Sequence, residues 1–176
     1  VSAQVIRIAP EVSGTVSQLE VADNQYVAKG TLLYNIDPAR FELAVSSAQA
    51  QLDEATATLL QKREEKKHRQ QMGALMAAED RQREREAALV AEAQQQQALA
   101  ALSLARLNLQ RAAIRAPVDG YVTHLRLQPG AYAVAGTPDI ALVDAHSFRV
   151  TGYFEETKLQ RMRIGDRVHI RLMGQE

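Results

Sequence analysis

Hydrophobic patterning divides the chain into three blocks. From Gln4 to Asp37, Val12, Val16, Leu19, Val21 and Val27 are spaced among polar residues and interrupted by Gly14, Asp23-Asn24 and Lys29-Gly30. Short apolar–polar runs between turn formers predict strands joined by tight turns. From Pro38 to Ala112 the period changes. Phe41, Val45, Ala48, Leu52, Ala55 and Leu59 recur at alternating steps of four and three, as do Ala88, Ala91, Gln95, Ala98, Leu102, Ala105 and Leu109. That 3.5-residue repeat is the seam of a coiled coil.

The ends of these helices are marked. Asp37 offers a capping carboxylate, and Pro38 has the backbone angle of a first helical residue. Basic Lys62, Arg63, Lys66, Lys67 and Arg69 crowd the end of the first helix, and Glu79 and Asp80 open the second, as the helix dipole favours. Gly73 between them tolerates the left-handed backbone that ends a helix. The pattern predicts helices over about 38–72 and 77–112, each ~50 Å long at 1.5 Å per residue. Together they make a long antiparallel hairpin. Its seam lapses at Lys62 and Lys66, so the distal part packs more loosely. The third block is strand-like from Ile114. Beyond Phe148, FRVTGYF reads as a strand, EETKLQRM as a helical turn, and RVHIRL alternates through Val168, Ile170 and Leu172.

An internal repeat fixes the architecture. Sliding the sequence by 106 residues superposes Val12 on Val118, Gly14 on Gly120, Val16 on Val122 and Leu19 on Leu125. The same shift superposes Tyr26 on Tyr132, Gly30 on Gly136 and Thr31 on Thr137, and Ala9-Pro10 returns as Ala116-Pro117 with a one-residue offset. Each half is only about 30 residues, below the size that buries a stable core alone. Pairing them solves this and brings Asp37 beside Ile114, the two feet of a hairpin. The predicted fold is α+β. A two-part β-sandwich of residues 4–37 and 113–145 is interrupted by the hairpin, 38–112, and followed by 146–176 as the start of a β-barrel domain. Gly14, Gly30, Gly120, Gly130 and Gly136 are its expected structural turn glycines.

Composition narrows the chemistry. Basic and acidic residues number 21 each, so no basic surplus recommends a nucleic-acid partner. There is no cysteine, which excludes disulfides, thiolate catalysis and cysteine zinc sites. No apolar run reaches the ~18 residues of a membrane span. The opening residues lack the charged and apolar regions of a signal peptide. Both ends look cut, and the chain is read as a soluble fragment of a longer protein.

The halves APEVSGTVSQLEVADNQYVAKGTLLYNID and IRAPVDGYVTHLRLQPGAYAVAG resemble the two halves of a biotinyl/lipoyl domain. Such a domain interrupted by a helical hairpin and followed by FRVTGYFEETKLQRMRIGDRVHI resembles the HlyD-type membrane-fusion family of periplasmic adaptors. The IAPEVSG opening and SFRVTGYFEETKL look closest to aromatic-acid (p-hydroxybenzoate) efflux adaptors. The resemblance covers essentially the whole chain. It implies a non-catalytic periplasmic adaptor between an inner-membrane transporter and an outer-membrane channel, assembled as a trimer or hexamer. It also implies a membrane anchor before Val1 and further β-barrel sequence after Glu176. In this family the hairpin tip contacts the channel, often through an Arg-Leu-Ser pattern; the corresponding positions here hold Lys67, Gln71 and Ala78. Only the charge of the first is kept, and Met72, Leu75 and Met76 beside Gly73 offer apolar docking contacts instead.

Other chemistries fit poorly. A biotin or lipoyl carrier needs an acylated lysine on the turn between its halves, and here the hairpin replaces that turn with no lysine at either foot. Lys29 lies in the preceding turn, as a solvated residue. His68, His124, His146 and His169 show no paired metal-ligand spacing. Met72 and Met76 are too few for a copper cluster, and Ser46, Ser47 and Ser103 lack a nucleophile elbow. Glu155-Glu156 suits capping and solvation. No cofactor is expected. A coiled-coil scaffold without a transport partner is the second class these features allow; an exporter encoded by a neighbouring gene would separate the two.

Overall fold

The computed structural model describes residues 1–71, 78–155 and 163–170. Among these residues, eight short strands and two long helices follow one another as β1 (Val5–Ile8), β2 (Gly14–Leu19), β3 (Tyr26–Val27), β4 (Leu32–Ile36), α1 (Ala39–Gln71), α2 (Ala78–Arg111), β5 (Ala113–Arg115), β6 (Gly120–Thr123), β7 (Tyr132–Ala133) and β8 (Ile140–Asp144). The strands form two four-stranded sheets, ordered β1-β8-β6-β3 and β5-β4-β2-β7, with antiparallel pairing throughout. Exchanging β1 with β5, β2 with β6, β3 with β7 and β4 with β8 turns one order into the other. The repeat is therefore a pseudo-twofold axis, and each sheet draws two strands from each half. Two independent tandem β-domains are ruled out by this exchange.

Equivalent contacts recur at repeat-related positions. The Gly30 N–H donates to the Ala116 carbonyl at 2.8 Å, and the Gly136 N–H to the Pro10 carbonyl at 2.9 Å. The Asn24 and Gly130 N–H groups donate to the Val122 and Val16 carbonyls, each at 2.8 Å. The Asp119 carboxylate accepts from Lys29 N–H at 2.7 Å, where the Ser13 hydroxyl accepts from Ala135 N–H at 2.9 Å. The core obeys the same rule. Ile8 and Ile114, Val16 and Val122, Val21 and Leu127, Val27 and Ala133, and Ile36 and Leu142 are repeat mates, and all ten are buried. Two mated sets of alternating side chains thus meet between the sheets.

The five expected turn glycines divide into two uses. Gly30, Gly130 and Gly136 hold the left-handed backbone, at φ of 86°, 89° and 79°. Gly14 and Gly120 instead begin β2 and β6, and their role is close approach. A Cβ on Gly120 would collide with the Val143 carbonyl, and one on Gly14 with the Ile36 side chain. A carbonyl already in a β-ladder cannot yield, whereas a side chain can.

The helices start and stop as their ends require. Asp37 accepts the Ala39 N–H at 3.1 Å through its carboxylate, capping α1. At the other foot, Ile36 N–H donates to the Ala112 carbonyl at 2.8 Å, and Asn35 pairs with Ala113 across β4 and β5. The feet therefore close in the sheet itself. Beyond β8, the expected strand at 148–154 is represented by a single bridge, Ser2 to Arg149. Residues 167–170 form no strand either, and Val168 and Ile170 are exposed. Alternation makes a strand only where another strand supplies hydrogen-bond partners, and among the described residues none does so here. The helical turn expected at 155–162 lies largely outside the described residues.

Gly120→Ala is expected to lower unfolding stability by ~1–3 kcal/mol through overpacking, and Gly14→Ala by less, because Ile36 can shift. Urea denaturation of both variants measures the difference; equal losses would contradict the distinction between backbone and side-chain neighbours.

Candidate functional site: a helical hairpin seated on the split β-domain

The sequence proposes no catalytic centre, and the functional surface is built from the hairpin and its seat. Along α1, the residues turned toward α2 are Phe41, Val45, Ala48, Leu52, Ala55 and Leu59, all buried or half-buried. They meet Ala88, Ala91, Gln95, Ala98, Leu102, Ala105 and Leu109 of α2, also buried or half-buried. Among the described residues, Ala48, Leu102 and Ala105 form a buried cluster with Val45 and Leu52 against it. Alanine buries little area, at roughly 25 cal/mol per Å², so polar contacts fix the register. Gln95 donates to the Thr56 hydroxyl at 3.0 Å, and Arg106 to the Gln49 side-chain carbonyl at 3.1 Å. Arg63 and Glu92 form an ion pair at 3.6 Å. Lys62, where the apolar seam lapses, pairs within its own helix with Glu65 at 3.1 Å.

Two arginines, one at each foot, tie the hairpin to the segment before β2. Arg40 donates to the Ser13 carbonyl and lies over the Phe41 ring, 4.5 Å from its centroid. Arg111 pairs with Glu11 at 2.6 Å. Sequence reasoning missed both, because their partners become neighbours only when the feet close. Across the domain, the Lys29 N–H above all holds the Asp119 carboxyl below its usual range; burial opposes it, and His146 adds to the lowering. His146 approaches it at 3.5 Å.

Of the tip residues, Lys67 is exposed near the end of α1, and Ala78 begins α2. Met72, Gly73, Leu75 and Met76 lie outside the described residues. Lys29 is exposed, and only its backbone N–H is engaged, by Asp119. His124 is also exposed, with a left-handed φ of 54° at the end of β6. Among the described residues no group of His, Asp or Glu could hold a metal ion, and no helix is long and apolar enough to cross a membrane.

One polar pair breaks the repeat. Tyr34 is 0% exposed, and its hydroxyl and the Asp139 Oδ2 are buried without hydrogen-bond partners. Their repeat mates are Ile140 and Leu33, both buried and apolar. Burial, then the neighbouring Asp139 charge, pushes the Tyr34 phenol up. Burial raises the Asp139 carboxyl, and the Tyr34 hydroxyl partly offsets this. Comparing the halves position by position is the signal that would have found the pair. Asp139 opens onto a groove of about 1070 Å³, flanked by Arg7, His124 and Arg126.

With this geometry in place, the chain can be compared with known proteins. Residues 4–145 match the family described as RND MFP, barrel-sandwich hybrid domain, and residues 147–176 match the AAEA-like beta-barrel domain. The chain belongs to the RND membrane fusion proteins, a family of non-catalytic adaptors associated with efflux. Solved structures share the fold. A MacA-MexA chimeric protein carrying the Pseudomonas aeruginosa MexA α-hairpin is 26% identical, with a TM-score of 0.58 over 80% of this chain and 48% of that one. MacA from Actinobacillus actinomycetemcomitans is 20% identical, with a TM-score of 0.65 over 81% of this chain and 51% of that one. The membrane fusion protein Spr0693 of Streptococcus pneumoniae R6 is 15% identical, with a TM-score of 0.64 over 93% and 72%. This chain thus spans about half the length of the two MacA-derived structures. Members of the family generally work with an inner-membrane transporter and an outer-membrane channel, oligomerise, and reside in the periplasm.

The unsatisfied pair predicts a stability effect with a definite sign. Tyr34→Phe should stabilise the domain by up to about 1 kcal/mol, because the hydroxyl is buried without a hydrogen bond of normal geometry and its approach to Asp139 offsets only part of that cost. For Asp139 the folded carboxyl is raised, so folding disfavours its charged form. Stability from this group is full below the ordinary value near 3.8 and falls as pH rises through the raised one. Asp139→Asn should therefore gain on the parent protein at pH 7, and the gain should shrink toward pH 4. Denaturation across that range measures it; a gain that grows on acidification would contradict the assignment.

Proposed function

We propose that this chain is the central part of a periplasmic adaptor that links an inner-membrane transporter to an outer-membrane channel in an efflux pump. The observation that carries this reading is the seating of the hairpin. A closed β-domain grips both feet of helices of 33 and 34 residues, so α1 alone reaches ~50 Å beyond it. Such a stem transmits position and does no bond chemistry. The β-domain would rest with its neighbours on the transporter, and the tip would meet the channel through Lys67, Met72, Gly73, Leu75 and Met76. Copies would stand side by side as a trimer or hexamer, since a seam of alanine and glutamine leaves a hairpin that gains from lateral packing. An anchor preceding Val1 would hold the assembly to the inner membrane.

Aromatic acids are the proposed cargo. The resemblance of the segments IAPEVSG and SFRVTGYFEETKL to aromatic-acid efflux adaptors supports this.

Replacing Leu75 and Met76 together by Asp in the full-length protein should reduce resistance to a pumped aromatic acid to that of the pump-deleted strain. Circular dichroism and protein level should stay unchanged. Unaltered resistance would argue that the tip does not dock. A variant with residues 39–111 replaced by a short turn should still copurify with the transporter; loss of that binding from a folded β-domain would favour a scaffold.

A further inference from the structure

The groove of about 1070 Å³ beside Asp139 lies where the strand pairing of the two halves diverges. In the first half, β2 runs on to Leu19, which pairs with Tyr34 of β4. In the second, β6 stops at Thr123, opposite Ala141 and short of Leu125, the repeat mate of Leu19. His124 leaves the strand with its left-handed φ of 54°, a conformation uncommon outside glycine. The pairing therefore continues on one side of the pseudo-twofold and fails on the other, and the groove opens at that gap.

The side chains around the groove depart from their mates as well. Arg7, His124 and Arg126 line it, and the same positions of the other half hold Ala113, Gln18 and Glu20. Two guanidiniums and an imidazole thus stand where the repeat has one carboxylate and no cation. All three are exposed, and among the described residues nothing accepts a hydrogen bond from either guanidinium. Asp139 is the acid of the lining, but it does not neutralise them. Its buried Oδ2 neighbours the Tyr34 hydroxyl, and its carboxyl responds to burial and to Tyr34, not to an arginine. Between the cations the lining is apolar, with Val5, Pro138, Ile140 and Ala141. Arg7 pairs with Ala141 across β1 and β8, so its side chain starts beside that apolar strip.

Guanidiniums offer forked donors that match the oxygens of a carboxylate or phosphate. A bare inorganic anion has no use for an apolar strip between them. Sites for small organic ligands are concave, of roughly 300–1,000 Å³, and mainly apolar with a few polar groups that fix orientation. At about 1070 Å³ this groove stands at the upper end of that range and has that make-up. We propose that the groove between β1, the end of β6 and the segment before β8 reversibly binds a small organic acid, with Arg7 and Arg126 on its carboxylate and Val5, Pro138 and Ala141 against its apolar body. The ligand is of the same class as the cargo proposed above and the site rests on that reading for its role, so binding and export are measured separately.

Isothermal titration calorimetry of the full-length protein with 4-hydroxybenzoate tests the site. Saturable binding is expected. It should weaken about tenfold or more for 4-hydroxybenzyl alcohol, which lacks the carboxylate, and for inorganic phosphate, which lacks the apolar body. Arg7→Gln combined with Arg126→Gln should cost about tenfold or more in affinity. The urea midpoint of that variant should stay unchanged, because neither guanidinium holds another described residue in place. Arg85→Gln, on the hairpin, should bind like the parent protein, and Asp139→Asn should bind at least as tightly. Equal affinity for the alcohol, or a double arginine variant that binds like the parent, would overturn the proposal. Phosphate binding as tightly as the acid would overturn the ligand class, and an equal loss in Arg85→Gln would assign the effect to net charge and overturn the site. No saturable binding, with resistance to the acid intact in cells, would overturn the site and leave the cargo reading standing. Binding that the arginine variant abolishes, in a protein that confers no resistance to the acid, would support the site and overturn the cargo.

Discussion

The exchange of strands between the two halves is the constraint on which the other features rest. A backbone N–H or carbonyl buried in a sheet must find a partner, and the partners of β2 and β4 in the first half include β7 and β5 from the far side of the hairpin. The reverse holds for β6 and β8, which need β3 and β1. Neither half can complete a sheet or enclose the mated core residues alone. The domain closes only when Ile36 and Ala112 meet, and that meeting sets the spacing of the helices above it. A hairpin with a weak alanine seam is thus held straight at its base by a sheet, and by Arg40 and Arg111 outside it.

The repeat also acts as an internal control on what the fold requires. Where both halves agree, as at Val16 and Val122 or Gly30 and Gly136, the residue answers a structural demand met twice. Where they disagree, the fold tolerates either and another cause is at work. Leu33 and Ile140 show that the core accepts apolar residues where Asp139 and Tyr34 carry unpartnered oxygens. Similarly, Asp119 and Ser13 do the same job for a turn, but only Asp119 also attracts His146. A side chain kept against the pattern of its mate marks a place where stability alone did not choose it.

Much of this was legible in the sequence because the signals were periodic or repeated. The 3.5-residue stripe identified the inward-facing seam of both helices, though not Gln49 and Thr56, which also meet α2, and Asp37 marked the capped start of α1. The 106-residue shift gave the split domain, although not the strand orders, since a repeat says that two halves are alike and not which strands pair. Three things escaped. Arg40 and Arg111 act through partners brought near by tertiary closure. The Tyr34–Asp139 pair lies across the pseudo-twofold, with no local pattern. The alternation at Val168 and Ile170 predicted a strand, yet a strand is a property of two segments and its partner is not among the described residues.

The central claim is that the two β-halves are one domain, obligatorily interdigitated, with the hairpin inserted between them. Thermal unfolding of peptides 1–37 and 113–147, measured separately by circular dichroism and then as one chain joined by a short turn, addresses it most directly. Neither peptide alone should show strand signal or a cooperative transition, and the joined chain should show both. A cooperative transition from either half by itself would contradict the account.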